Sequence, residues 1–90
     1  MYTITFLEKG KFTGEFSIKE RDEALGTMVA SVERYAHKDG FYIDESVKDV
    51  YTVHDLSPAA KVIKLSGPID AELKNKLTQG FSALLEKWLL

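Results

Sequence analysis

The amino-acid sequence predicts an α+β domain: a four-stranded antiparallel sheet with two helices packed on one face, in the order ββαββα. Three observations lead there. Apolar and polar residues alternate through the first eighteen positions and again in the middle of the chain. Two segments, after residues 20 and 70, switch to the 3.6-residue period of an amphipathic helix. Glycine, proline and charged residues fall between these segments, where turns are needed.

In the first segment Tyr2, Ile4 and Phe6 alternate with Thr3, Thr5 and Leu7, and after Glu8-Lys9-Gly10 the alternation resumes with Phe12, Gly14, Phe16 and Ile18. This pattern reads as a β-hairpin. Opposed residues share a face, so gathering the aromatics pairs Phe6 with Phe12, Ile4 with Gly14 and Tyr2 with Phe16. That register leaves a three-residue loop, Glu8, Lys9 and Gly10, with glycine at its left-handed position. It assigns the hairpin aromatics to the core and Thr3, Thr5, Leu7, Thr13, Glu15 and Ser17 to the outward face.

From about Arg21 the apolar residues Ala24, Leu25, Met28, Val29, Val32, Tyr35 and Ala36 fall within an arc of about 140° at helical spacing. Asp22 and Glu23 in the first turn and Lys38 in the last suit the helix dipole, and Gly40 supplies a stop. Residues 41–47 read as extended or irregular. The β-branched alternation of residues 48–54 and 61–65 predicts a second hairpin around a Ser57-Pro58 loop. Its stronger apolar face is Tyr51 and Val53 with Ile63 and Leu65, which would turn Val50 and Val62 outward. The pattern admits either facing.

Gly67-Pro68 ends the fourth strand and Asp70 is placed to cap a final helix. The apolar residues of that helix, Leu73, Leu77, Phe81, Leu84, Leu85, Trp88 and Leu89, together with Ile69, cover an arc of roughly 200°, twice what one packed face requires. Twenty helical residues span about 30 Å against about 20 to 23 Å for strands of six or seven, so the helix should overhang the sheet. Leu85, Trp88, Leu89 and Leu90 are then expected at an interface, unless the first helix or residues 41–47 cover them. Gly26 with Ala30 and Gly80 with Ala83 form small-residue pairs suited to close helix contact, which would explain two glycines at helix-interior positions.

Ninety residues fit one domain, 1–90. With 44% hydrophobic and 29% charged residues the chain has a globular composition, although a domain this small buries only about 60 to 65% of its surface and gains from self-association. Twelve basic and fourteen acidic residues leave a net charge of -2, which creates no field toward nucleic acid or anionic lipid. The sequence lacks cysteine, a signal-peptide pattern and any apolar run near the roughly 20 residues of a membrane span. The default expectation is a cytoplasmic protein without membrane contact.

Motifs for catalysis are sparse. His54 and Asp55 are adjacent on a predicted strand, which sends their side chains to opposite faces. Asp39, Asp44, Glu45, Asp49 and Asp55 do not follow the spacing of a calcium loop, and the six glycines form no phosphate-binding pattern. No cofactor or metal is expected. Lys9, Lys11, Lys48, Lys61 and Lys64 are interrupted by Glu8, Glu15, Asp49 and Asp55, so they read as charges that blunt strand edges. The expectation is a non-enzymatic protein-protein interaction module, an adaptor, regulator or inhibitor. It would form a homodimer through its C-terminal helix or through an open sheet face that includes Leu7, Val50 and Val62. The alternatives are a nucleic-acid-associated regulator using the hairpin lysines and, behind it, a small enzyme or enzyme subunit whose acids converge around His54.

Overall fold

A computed structural model describes all residues from Met1 to Leu90. Its elements are β1 (Tyr2–Glu8), β2 (Lys11–Ile18), α1 (Arg21–Tyr35), β3 (Phe41–Asp44), β4 (Val50–Asp55), β5 (Lys61–Ser66) and α2 (Ala71–Leu89). The class is α+β with an antiparallel sheet and two helices, as the periodicities predict. The sheet has five strands rather than the four expected, and the order is ββαβββα rather than ββαββα. The added strand is β3, whose four residues are too few to display an alternation. It forms because β4 pairs with it from Phe41 opposite Asp55 to Asp44 opposite Thr52.

Strands lie in the order β2-β1-β5-β4-β3, and every neighbouring pair is antiparallel. The edges are therefore β2, with eight residues, and β3, with four. One face carries Tyr2, Ile4, Ile18, Phe41, Tyr51, Val53, Ile63 and Leu65, all buried. Both helices cover that face and contribute Ala24, Met28, Val32, Leu73, Leu77, Phe81 and Leu84 to the same core. The second hairpin thus takes the facing that turns Val50 and Val62 outward. The shortest dimension is 22 Å, which leaves room for one sheet and one helix layer, so the opposite face of the sheet is bare.

The helices run side by side in the same direction. Arg21 at the start of α1 pairs with Asp70 and Glu72 at the start of α2, and Glu33 meets Lys87 near their other ends. Asp70 caps α2, its carboxylate accepting the Leu73 N–H at 2.8 Å. α1 ends at Tyr35, five residues before Gly40, because the chain leaves the helix at Ala36 in an extended conformation and the next N–H, that of His37, is taken by the Asp55 carboxylate.

The first hairpin departs from its expected register. Its turn is the two-residue Lys9-Gly10, with φ of +52° and +79°, the positive values that a type I′ turn demands. Tyr2 faces Ile18, Ile4 faces Phe16 and Phe6 faces Gly14, whereas nearer the turn Leu7 faces Phe12. Thr13 is the extra residue between these two registers, a β-bulge, and its hydroxyl donates to the Phe6 carbonyl at 3.2 Å. The bulge sends Phe12 to the bare face beside Leu7. Phe12 is 62% and Phe16 50% exposed, so neither joins the core to which the aromatic pattern assigns it: Phe12 lies on the opposite face and Phe16 on the helix side at the sheet edge.

A candidate docking face on the open sheet

Registers fix which side chains meet on the bare face. Phe12 opposes Leu7, Leu7 opposes Val62, Val62 opposes His54, and His54 opposes Tyr42. These five residues form one row across all five strands, about 19 Å long at the usual strand spacing. The Tyr42 and His54 rings stack with centroids 4.6 Å apart and planes 8° apart, and Tyr42 is 55% exposed. The row behind it is Glu15, Thr5, Lys64, Thr52 and Asp44, and behind that lie Ser17, Thr3, Ser66 and Val50. An apolar strip is thus bordered by polar residues whose charges sit at the two edges and the centre. Asp44 is held ionised: the Ser46 hydroxyl and backbone N–H lower its pKa.

Leu7, Val50 and Val62 lie on this face, Leu7 and Val62 together in the apolar row and Val50 at its far end. The C-terminal residues are elsewhere. Trp88 packs edge-on against Phe41, with centroids 5.8 Å apart, and Leu85 packs against the core, whereas Leu89 and Leu90 are exposed. β3 is therefore the element that covers Trp88. Gly80 lies against α1, where a Cβ would stand 2.9 Å from Val29 Cγ2. Gly26 does not face α2: nothing lies within 4 Å of a Cβ built there, and Ala30 and Ala83 are exposed.

Gly26 and Ala30 line a groove between α1 and the edge strand β2, together with Thr27, Phe16 and Tyr35. The groove continues into a cavity of about 410 Å³ over Phe6, Gly14 and Ile63 at the turn end of the hairpin. Both openings lie on the helix-covered side of the sheet, away from His54. No family model, curated protein or solved structure matches the chain.

The ionisable residues separate in space. His54 points to the bare face and Asp55 to the helices, so they form no dyad. No group of three or more His, Asp and Glu side chains converges. Asp55 holds the frame of the site. It is 8% exposed and accepts from the His37 N–H at 3.0 Å and from the Ser57 hydroxyl. Burial by itself raises its pKa, but the Ser57 hydroxyl and the N–H groups of His37, Ser57 and Lys61 together outweigh burial and lower it. Glu8 opposes Lys11 on one side and Lys61 on the other, so an acidic residue separates these two lysines across the sheet.

Sequence periodicity turns Leu7 outward and sets Val62 beside it under one of the two facings that the second hairpin admits, and it misses Phe12, Tyr42 and His54. Phe12 reaches the row only through the bulge, Tyr42 depends on β3, and His54 lies on the face that Val50 and Thr52 share on β4. The local signal for the hairpin geometry is the Lys9-Gly10 dipeptide, whose glycine is compatible with a two-residue turn.

Proposed function

We propose that this chain is a non-enzymatic protein-interaction module that docks a protein partner on the bare face of its sheet. The observation that carries this reading is the Phe12-Leu7-Val62-His54-Tyr42 row, a continuous apolar and aromatic strip with a polar border. Exposed strips of this composition are what partner surfaces exclude from water, and aromatic anchors supply most of the energy of such contacts. No helix is long and apolar enough to cross a membrane, so the strip is not part of a helical span.

Stacking of nucleic-acid bases is the second reading, favoured by the exposed Phe12 and Tyr42 rings. It is the weaker one. The two rings stand at opposite edges of the sheet with aliphatic Leu7 and Val62 between them, and Lys64 is the single cation among the residues of the three rows.

Photo-crosslinking in cells of the natural source tests the proposal, with a benzophenone side chain at position 42 and a control at Lys74 on α2. Discrete protein adducts from position 42 that disappear with Val62→Asp are expected. Adducts from position 74 alone, or crosslinks from position 42 to RNA or DNA, would reject docking of a protein on this face.

A further inference from the structure

The second surface that lacks a partner is the edge formed by β2, and it goes beyond the docking face. Seven of the eight β2 residues are not buried, and the strand presents one full side of unpaired backbone N–H and C=O groups. Phe16 lies on its helix-facing side, half exposed, in the groove whose other wall is the small-residue stretch Gly26, Thr27 and Ala30.

We propose that two copies of the chain pair antiparallel through β2 about a twofold axis at Ser17, joining their sheets into one of ten strands. The register follows from physical constraints. Opposed residues must share a face, so the axis passes through a residue, and the Thr13 bulge confines regular pairing to the later part of the strand. An axis at Glu15 sets Glu15 against its own copy. An axis at Gly14 sets Phe12 against Phe16, which the bulge has turned to opposite faces. An axis at Phe16 leaves Glu15 opposite Ser17 and the cation Lys19 opposite the bulge. An axis at Ser17 places Glu15 of each copy opposite Lys19 of the other, the first residue past β2, and Phe16 opposite Ile18 on the helix side. This arrangement makes both charge pairs complementary and covers both Phe16 rings.

The helix layer is compatible with it. α1 lies over β1, with β5 and β2 on either side. In the joined sheet, β1 and its copy stand three strand spacings apart, about 14 Å, compared with about 8 to 10 Å for helices in direct contact. The space left between the two α1 helices is about one side-chain layer, and the Phe16 rings extend into it beside Gly26 and Ala30. This gives the mid-helix Gly26 a reason that one chain alone does not provide. The C-terminal Leu89 and Leu90 make a smaller surface, well short of the roughly 800 Å² per partner of a standard interface.

Analytical ultracentrifugation of the full chain over a concentration series tests the pairing. A species near twice the 10.1 kDa of one chain is expected. Glu15→Lys and Lys19→Glu should each weaken it at least about tenfold, since each substitution sets two like-charge pairs across the axis. The double variant Glu15→Lys/Lys19→Glu should return dissociation to near the starting value. Both positions are exposed, and unchanged far-UV circular dichroism in each variant confirms folding. A monomer at all concentrations overturns the proposal. So does a dimer that is indifferent to the charge swap, or one abolished by deleting Leu89 and Leu90.

Discussion

At the scale of single residues, the two helix-interior glycines respond in opposite ways because only one of them is a contact. A side chain at Gly80 meets Val29, a stiff β-branched residue on α1, with a first carbon already at 2.9 Å. Gly80→Leu should therefore cost about 1 to 3 kcal/mol and lower the melting temperature. An unchanged thermal transition by circular dichroism would show that the helices part freely there. Gly26→Ala meets nothing within 4 Å and removes the helix penalty of glycine, so it should stabilise the monomer by up to about 1 kcal/mol, read as a higher urea midpoint at low protein concentration. Asp55 is the third informative position. Its lowered pKa means that its stabilising effect is complete above the unfolded value of about 3.9 and is lost as pH falls through the folded value. Asp55→Ala leaves the His37 N–H and the Ser57 hydroxyl without their acceptor, at a cost of about 1 to 3 kcal/mol near neutral pH. The stability gap between the two proteins should narrow as pH falls below the unfolded value of about 3.9, because protonation of Asp55 removes the part of its effect that depends on charge. A constant gap in stability from pH 7 to pH 2 would remove this role.

At the scale of elements, the first hairpin shows what local physics decides and what the sequence pattern can reveal. Lys9 occupies the left-handed region at φ +52°, where a residue with a Cβ is strained and asparagine is better tolerated. Lys9→Asn should stabilise the protein by a few tenths to about 1 kcal/mol, whereas Gly10→Val should destabilise it, both measured by denaturant titration. If Asn is neutral and Val harmless, the two-residue turn is not setting the register. The two helices, the Asp70 cap and the existence of both hairpins are legible from period and capping chemistry, which are local, whereas the pattern of the second hairpin admits either facing and only the assembled sheet turns Tyr51, Val53, Ile63 and Leu65 inward. The pairing within the first hairpin is not legible either. Matching aromatic to aromatic favoured Phe6 opposite Phe12, but turn geometry shifted the register and the Thr13 bulge absorbed the difference. β3 was hidden for a related reason: its four residues pair because Asp55 and α1 bring them beside β4, a long-range cause with no periodic trace. The docking row inherits both omissions. Its middle, Leu7 and Val62, can be read from alternation under one of the two facings, and its aromatic ends cannot.

At the scale of the whole molecule, the sheet divides into a side that makes the fold and a side that does not. Sixteen buried apolar residues form one core between the sheet and the helices. The opposite side carries its apolar row without any layer above it. The ends of the row therefore contribute little to stability through burial, since Phe12 and Tyr42 keep most of their accessible surface in the monomer. Phe12→Ser should shift unfolding free energy by no more than about 0.5 kcal/mol, the usual range for surface positions. Ile63→Ser, one residue from Val62 but on the covered side, removes a fully packed side chain and introduces a buried hydroxyl, so it should cost at least about 2 to 4 kcal/mol. Equilibrium urea denaturation of the two variants measures this contrast, and hydrophobic-interaction chromatography of folded Phe12→Ser should show earlier elution than the parent chain. The two effects belong together: surface hydrophobicity that can be removed without loss of stability has its use outside the fold. If Phe12→Ser unfolded the protein as Ile63→Ser does, the row would be structural, and docking on the open sheet would lose its physical basis.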